Sequence, residues 1–235
     1  MVKGFGMKRL LLAAVIAAFN FGFARANDPN ALTAAELSSG WKPLFNGVNL
    51  DGWRGFRSAT PGEGWKVTNG EITTPGHGGD LITVGEFGDF ELSLEWKVGR
   101  GSNSGIIYRV GMNEAATYET GPEYQLLDNL NSQENDGLHS AGALYDVVAP
   151  IKDSTKPTGQ WNETRIIVRG WKIEHWLNGE KIVDVDLASP EGKKLVSNSK
   201  FRLMPKFATL SRGHVALQDH GDLVSFRRIK LRELN

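Results

Sequence analysis

The sequence predicts an all-β fold, a sandwich or barrel of short antiparallel strands, and three observations carry that prediction. Apolar and polar residues alternate in many short segments. Glycine accounts for 28 of 235 residues and gathers at the ends of those segments, where turns are needed. Helical periodicity is scarce.

Each element follows from its own pattern. Thr33-Ala34-Ala35-Glu36 spells a capping box, so a brief helix is expected to run to about Ser39. Phe90, Leu92, Leu94, Trp96 and Val98 put five apolar side chains on one face of a strand, opposite Glu91, Ser93, Glu95 and Lys97. Ile106, Tyr108 and Val110 are expected to share a face, with Ile107 and Arg109 behind it. Tyr124 and Leu126 alternate with Glu123 and Gln125. Arg165 to Arg169 and Lys172 to Leu177 read as a hairpin about Gly170-Trp171, and Asn178-Gly179 as a two-residue turn into Lys181 to Val185. Phe201 to Met204, His214 to Asp219 and Val224 to Leu231 read as further strands. Gly192 to Lys200 is charged and reads as a solvated loop or short helix. Short strands at near-regular spacing give a sandwich or barrel.

Residues 1–26 read as an export leader. Lys3, Lys8 and Arg9 precede the apolar run Leu10 to Phe23, and Ala24-Arg25-Ala26 is a small-x-small cleavage site. The run is too short for a spanning helix, and no later segment is apolar enough to cross a membrane. Residues 27–39 are expected to form a linker and short helix, and residues 40–235 one β-domain, exported to the periplasm or the medium. The whole chain balances 27 basic against 27 acidic residues; four of the basic ones leave with the leader, so the mature charge is about −4. That argues against nucleic acid as a partner. With no cysteine, disulfides and thiolate metal sites are excluded.

The strand pattern also predicts what faces away from the core. In His214 to His220, Val215 and Leu217 point one way and His214, Gln218 and His220 the other. Glu123 and Gln125 turn outward between Tyr124 and Leu126, as does Arg109 from its strand. A carboxylate, amides, a guanidinium and an imidazole are thereby expected on one sheet face. Trp53, Trp65, Tyr118 and Tyr145 lie in or beside glycine-rich loops, where an aromatic ring serves as a platform for a sugar or as a core plug. His175, between Ile173 and Leu177, reads as a satisfied buried histidine. There is no Gly-x-Ser-x-Gly elbow, no His-Glu-x-x-His and no Glu-x-Asp-x-x-Glu strand.

These segments, in order, resemble the 3-keto-disaccharide hydrolase domain family, formerly domain of unknown function 1080. The matching stretches begin with Gly40-Trp41-Lys42-Pro43-Leu44-Phe45-Asn46-Gly47 and Leu50-Asp51-Gly52-Trp53. They continue through Ser104-Gly105-Ile106-Ile107-Tyr108-Arg109 and Gly121-Pro122-Glu123-Tyr124-Gln125-Leu126-Leu127-Asp128-Asn129. Gly142-Ala143-Leu144-Tyr145-Asp146 and Gly213-His214-Val215-Ala216-Leu217-Gln218-Asp219-His220-Gly221 complete the core of the match. The resemblance implies a concanavalin-A-like jelly-roll β-sandwich of two curved antiparallel sheets. It implies an exported enzyme that cleaves 3-keto-glycosides, and puts Arg109, Glu123, Gln125, Asp128 and His220 in the pocket motifs. One departure is visible: many relatives carry a histidine soon after the Asp-Asn pair, whereas here the next one is His139.

The chemistry fits such residues. A 3-keto group acidifies the C2 proton, so a base can remove it and the C1 substituent can leave; water added to the resulting enone completes a net hydrolysis. This route does not use two carboxylates flanking the glycosidic bond. The expected catalysts are His220 and Glu123, as base and leaving-group acid in either order, with Arg109 or a divalent cation of unassigned identity holding the oxyanion. Gln125, Asp128, Gln218, Tyr145, Trp53 and His139 are expected to bind the sugar. No organic cofactor is expected. The competing readings are a lectin-like carbohydrate-binding module, an ordinary glycosidase and a structural envelope protein.

Overall fold

The computed structural model describes residues 28–234; the leader assigned to residues 1–26 lies outside them. A short helix α1 (Ala34–Ser38) is followed by strands β1 (Lys42–Pro43), β2 (Trp53–Gly55), β3 (Lys66–Thr68), β4 (Glu71–Thr74) and β5 (Leu81–Thr83). The long strands β6 (Phe90–Val98) and β7 (Asn103–Val110) come next, then β8 (Glu123–Leu127). A meander of β9 (Asn162–Arg169), β10 (Lys172–Leu177) and β11 (Glu180–Asp186) leads to helix α2 (Pro190–Asn198), and β12 (His214–Leu217) and β13 (Val224–Glu233) close the chain. Every strand pairing is antiparallel. The larger sheet runs β11-β10-β9-β6-β13-β4-β3, with β1 also on β13; the smaller runs β2-β5-β12-β7-β8. The fold is the expected jelly-roll β-sandwich.

Local sequence explains much of this. Thr33 and Glu36 close the capping box reciprocally at the start of α1. Asn178 and Gly179 both take positive φ, 50° and 84°, the backbone a type I′ hairpin turn needs. Phe90, Leu92, Leu94 and Trp96 are fully buried and meet Ile106, Tyr108, Tyr124 and Leu217 of the smaller sheet in one core. His175 sits in that core, between the Tyr108 hydroxyl at 3.0 Å and the Gly142 carbonyl at 3.0 Å. Burial drives its pKa down to about 4, so it is a neutral packing residue.

Two sequence expectations fail. Phe201 to Met204 is no strand: Ser199 accepts from the Phe201 N–H and starts a 3₁₀ turn over Lys200–Leu203. In β7 the alternation breaks at Arg109, where φ is +54° and the pairing with β12 slips by a residue. The bulge sends Val110 to the same side as Ile107, where both pack with Ile82 and Ala216 outside the main core.

Candidate active site

The outer face of the smaller sheet carries a polar cleft of about 190 Å³, lined by Asn103, Tyr118, Glu123, Gln125, Tyr145, Lys200, Gln218 and His220. Glu123 and Gln125 come from β8 by period-two alternation, and both are buried. Their neighbour on β7 is Gly105, which is paired with Gln125. A Cβ on Gly105 would lie 2.1 Å from Glu123 Oε1, so the carboxyl group occupies space that only glycine leaves open.

Three loops complete the cleft. The segment Gly142–Tyr145 runs along the free edge of β8: Gly142 N–H donates to the Gln125 carbonyl (2.8 Å) and Tyr145 N–H to the Glu123 carbonyl (3.0 Å). Tyr145 is thereby set beside Glu123. After β12, Gln218 N–H donates to the Gly105 carbonyl (2.9 Å). Asp219 then ties the loop down, donating its N–H to Asp80 Oδ1 (3.0 Å) and accepting from the N–H groups of Gly78 and Gly79. His220 is left at the exposed rim. Lys200 enters from the 3₁₀ turn, its N–H held by Asp146 Oδ2 (2.6 Å) and its Nζ 4.2 Å from the centre of the Tyr145 ring.

Electrostatics single out Glu123. Burial raises its pKa to about 8, with Lys200 opposing, Asp80 reinforcing and the Gln218 amide opposing. At neutral pH it is largely a protonated acid that can give up its proton near the working range. Tyr145 is pushed up to about 12 by burial and then by the nearby carboxylates, Glu123 first, so it stays a phenol. Asp80, partly buried, is also raised, chiefly by burial.

The structure therefore gathers Glu123, Gln125, Gln218, Tyr145 and His220 of the expected set, together with Tyr118. It places the others elsewhere. Arg109 does not reach the cleft, because the positive φ at the bulge turns its side chain away. Its guanidinium is 3% exposed and donates to the carbonyls of Gly88 and Gly170 and to Asp89 Oδ1 (2.9 Å), beneath Trp171. It staples the chain before β6 to the β9–β10 turn, so the oxyanion role passes from it. Asp128 is a loop clamp, accepting from Gly101 N–H, Thr158 Oγ1 and Asn131 Nδ2, each at 2.8 Å. Burial raises its pKa, and those donors outweigh it and hold the group below its ordinary value.

Trp53 is a core plug whose indole N–H donates to the Leu44 carbonyl (2.7 Å), and Trp65 is buried likewise. His139 lies behind the cleft, its ring 4.6 Å from that of Tyr145 and its nitrogens on Asp136 (2.9 Å) and Asp146 (3.3 Å). Among the described residues no three His, Cys, Asp or Glu side chains gather closely enough to hold an ion. Sequence reasoning missed Asn103 and Lys200. Asn103 stands one alternation step before Gly105 on the same strand and was within reach of the period-two argument; Lys200 had no local signal.

The same fold recurs in solved structures of similar sequence. A crystal structure of a Parabacteroides distasonis protein, provisionally described as a glycosyl hydrolase, superposes with a TM-score of 0.83 at 33% identity, covering 88% of this chain and 99% of that one. A second protein of that organism with the same description gives 0.68 at 30% identity, over 83% and 99%. The 3-keto-disaccharide hydrolase of Bacteroides thetaiotaomicron is 31% identical over 87% of this chain and 85% of its own length. Residues 40–232 match the 3-keto-alpha-glucoside-1,2-lyase-like domain, and the chain belongs to that family.

Proposed function

We propose that this protein cleaves 3-keto-glycosides by removing the C2 proton and expelling the C1 substituent. The observation that carries the reading is Glu123, a buried carboxyl with its pKa raised to about 8, on the floor of a cleft whose other walls are amides, phenols, an ammonium and an imidazole. Such a site suits acid–base work on a neutral sugar.

In this reading His220 takes the C2 proton. The C–H electron pair becomes the enolate on the 3-keto oxygen, facing the Lys200 ammonium. The enolate then re-forms the ketone as the C1–O bond breaks, leaving a C1=C2 double bond conjugated to it. Glu123 gives its proton to the departing oxygen. Addition of water across that double bond, its hydroxyl at C1 and its proton at C2, yields the free 3-keto-sugar. Tyr118 and Tyr145 flank the ring and Gln125 and Gln218 meet its hydroxyls. The leader of residues 1–26 belongs to the same proposal and places the reaction outside the cytoplasm.

The test is to incubate the mature protein with a 3-keto-glucoside and follow products by mass. An enone or its hydrate must accumulate together with the freed aglycone. His220→Ala should slow that release about a hundredfold, the usual worth of a positioned acid–base group. Binding of sugars with no product from any keto-glycoside would instead identify a lectin-like module.

A further inference from the structure

Two buried acceptors in the cleft have no partner. Among the described residues, Gln125 Oε1 and Gln218 Oε1 are the buried side-chain oxygens or nitrogens that make no hydrogen bond. Gln125 is fully buried and lines the cleft floor. A buried amide oxygen left unsatisfied is unfavourable, and a ligand that donates a hydrogen bond recovers that loss.

The polarity of Gln125 is set from outside the cleft. Glu134, on the exposed loop after β8, accepts from Asn103 Nδ2 at 2.6 Å. An ionised carboxylate accepts only, so it compels Asn103 to present its NH₂ outward and its Oδ1 inward. That oxygen accepts from Gln125 Nε2 at 3.1 Å. Gln125 Nε2 is thereby engaged by Asn103, and its carbonyl oxygen is the end of the amide left without a partner. The Asn103 main chain is pinned as well, its N–H donating to Asp222 Oδ2 at 3.0 Å.

We propose that Glu134, acting through Asn103, is a positioning residue that fixes Gln125 as a hydrogen-bond acceptor, so that the cleft selects a sugar with a free hydroxyl at that point. A ketone oxygen has no proton to give, so it cannot satisfy Gln125 Oε1. The relay therefore sets the register of the sugar as well, with a hydroxyl on Gln125 and the keto oxygen on the Lys200 side. The inference rests on the keto-glycoside reading for its substrate but not for its geometry.

Glu134→Gln breaks the logic with little change of shape. A glutamine can donate to Asn103 Oδ1, which lets Asn103 turn over and Gln125 show its NH₂ to the cleft. Glu134→Ala removes the constraint altogether, and position 134 is exposed, so both variants should fold. The experiment compares kcat and KM for a 3-keto-glucoside and its 2-, 4- and 6-deoxy analogues in the native protein, E134Q and E134A. Calorimetric binding of methyl glucoside and the matching methyl deoxyglucosides runs in parallel. Ratios between variants cancel the intrinsic reactivity of each analogue.

In the native protein one analogue should lose about tenfold or more in kcat/KM, mostly through KM. In both variants that penalty should shrink below about threefold. Equal treatment of every analogue by the native protein, or an unchanged penalty in both variants, overturns the relay while turnover leaves the catalytic reading standing. A hydroxyl penalty seen only by calorimetry, lost in the variants and with no turnover, refutes the catalytic reading and supports the relay. Neither binding nor turnover refutes both.

Discussion

Glu123→Gln is expected to lower kcat/KM by at least about a hundredfold and, at the same time, to make the protein more stable. The two effects share one cause. Burial holds the Glu123 pKa near 8, far above that of the same carboxyl in an unfolded chain, near 4.5. Between those values the folded state binds the proton and the unfolded state does not, so stability falls as pH rises through this window. At pH 7 the penalty is on the order of 3 kcal/mol. Glutamine keeps the shape and has no proton to lose. The variant should therefore melt at a higher temperature than the native protein at pH 8, by roughly 5–10 °C. The two melting curves should converge as pH falls below about 4.5, where the native carboxyl is protonated in both states. A variant that is inactive but has a pH-independent melting difference would show that Glu123 is not buried as an acid. The same pKa predicts that native kcat/KM declines above about pH 8, as the leaving-group acid is lost, and that E123Q lacks this limb.

The parts of the site that were legible in the sequence are those where local geometry is regular. Glu123 and Gln125 flank Tyr124 and Leu126, and the strand keeps its period of two, so their outward aim was readable. Gln218 and His220 followed from Val215 and Leu217 in the same way. Strict alternation misplaces Arg109 because one residue at φ +54° inserts a bulge, and a single extra residue reverses every side chain beyond it. Nothing in Ile-Ile-Tyr-Arg-Val announces that bulge. Asp128 and His139 have the right chemistry but are used up by loops, a matter of which backbone N–H lies nearby. Lys200 reads as surface in the sequence because the segment Gly192 to Lys200 is charged. Its place depends on Ser199 starting a turn and on Asp146, from a loop 54 residues earlier, capturing its N–H. Long-range placement of that kind has no periodic signature.

The second large effect is expected from a residue with no functional group. Gly105→Ala adds a methyl group whose carbon would stand 2.1 Å from Glu123 Oε1 and 2.8 Å from its Cδ. Backbone strain is not the issue, since Gly105 lies in ordinary extended β7. What must yield is the carboxyl group, the movable end of a side chain, while β7 and β8 stay paired on either side. Overpacking of this kind destabilises by about 1–3 kcal/mol, which the sandwich core can bear. A catalytic acid displaced by about 1 Å, however, loses on the order of a hundredfold in rate. The variant should thus fold, melt a few degrees lower and be nearly inactive, and its loss should not add to that of Glu123→Gln when the two are combined, because both remove the same group from the same place. Additive losses in the double variant would mean that Gly105 serves the reaction by some route other than making room for Glu123.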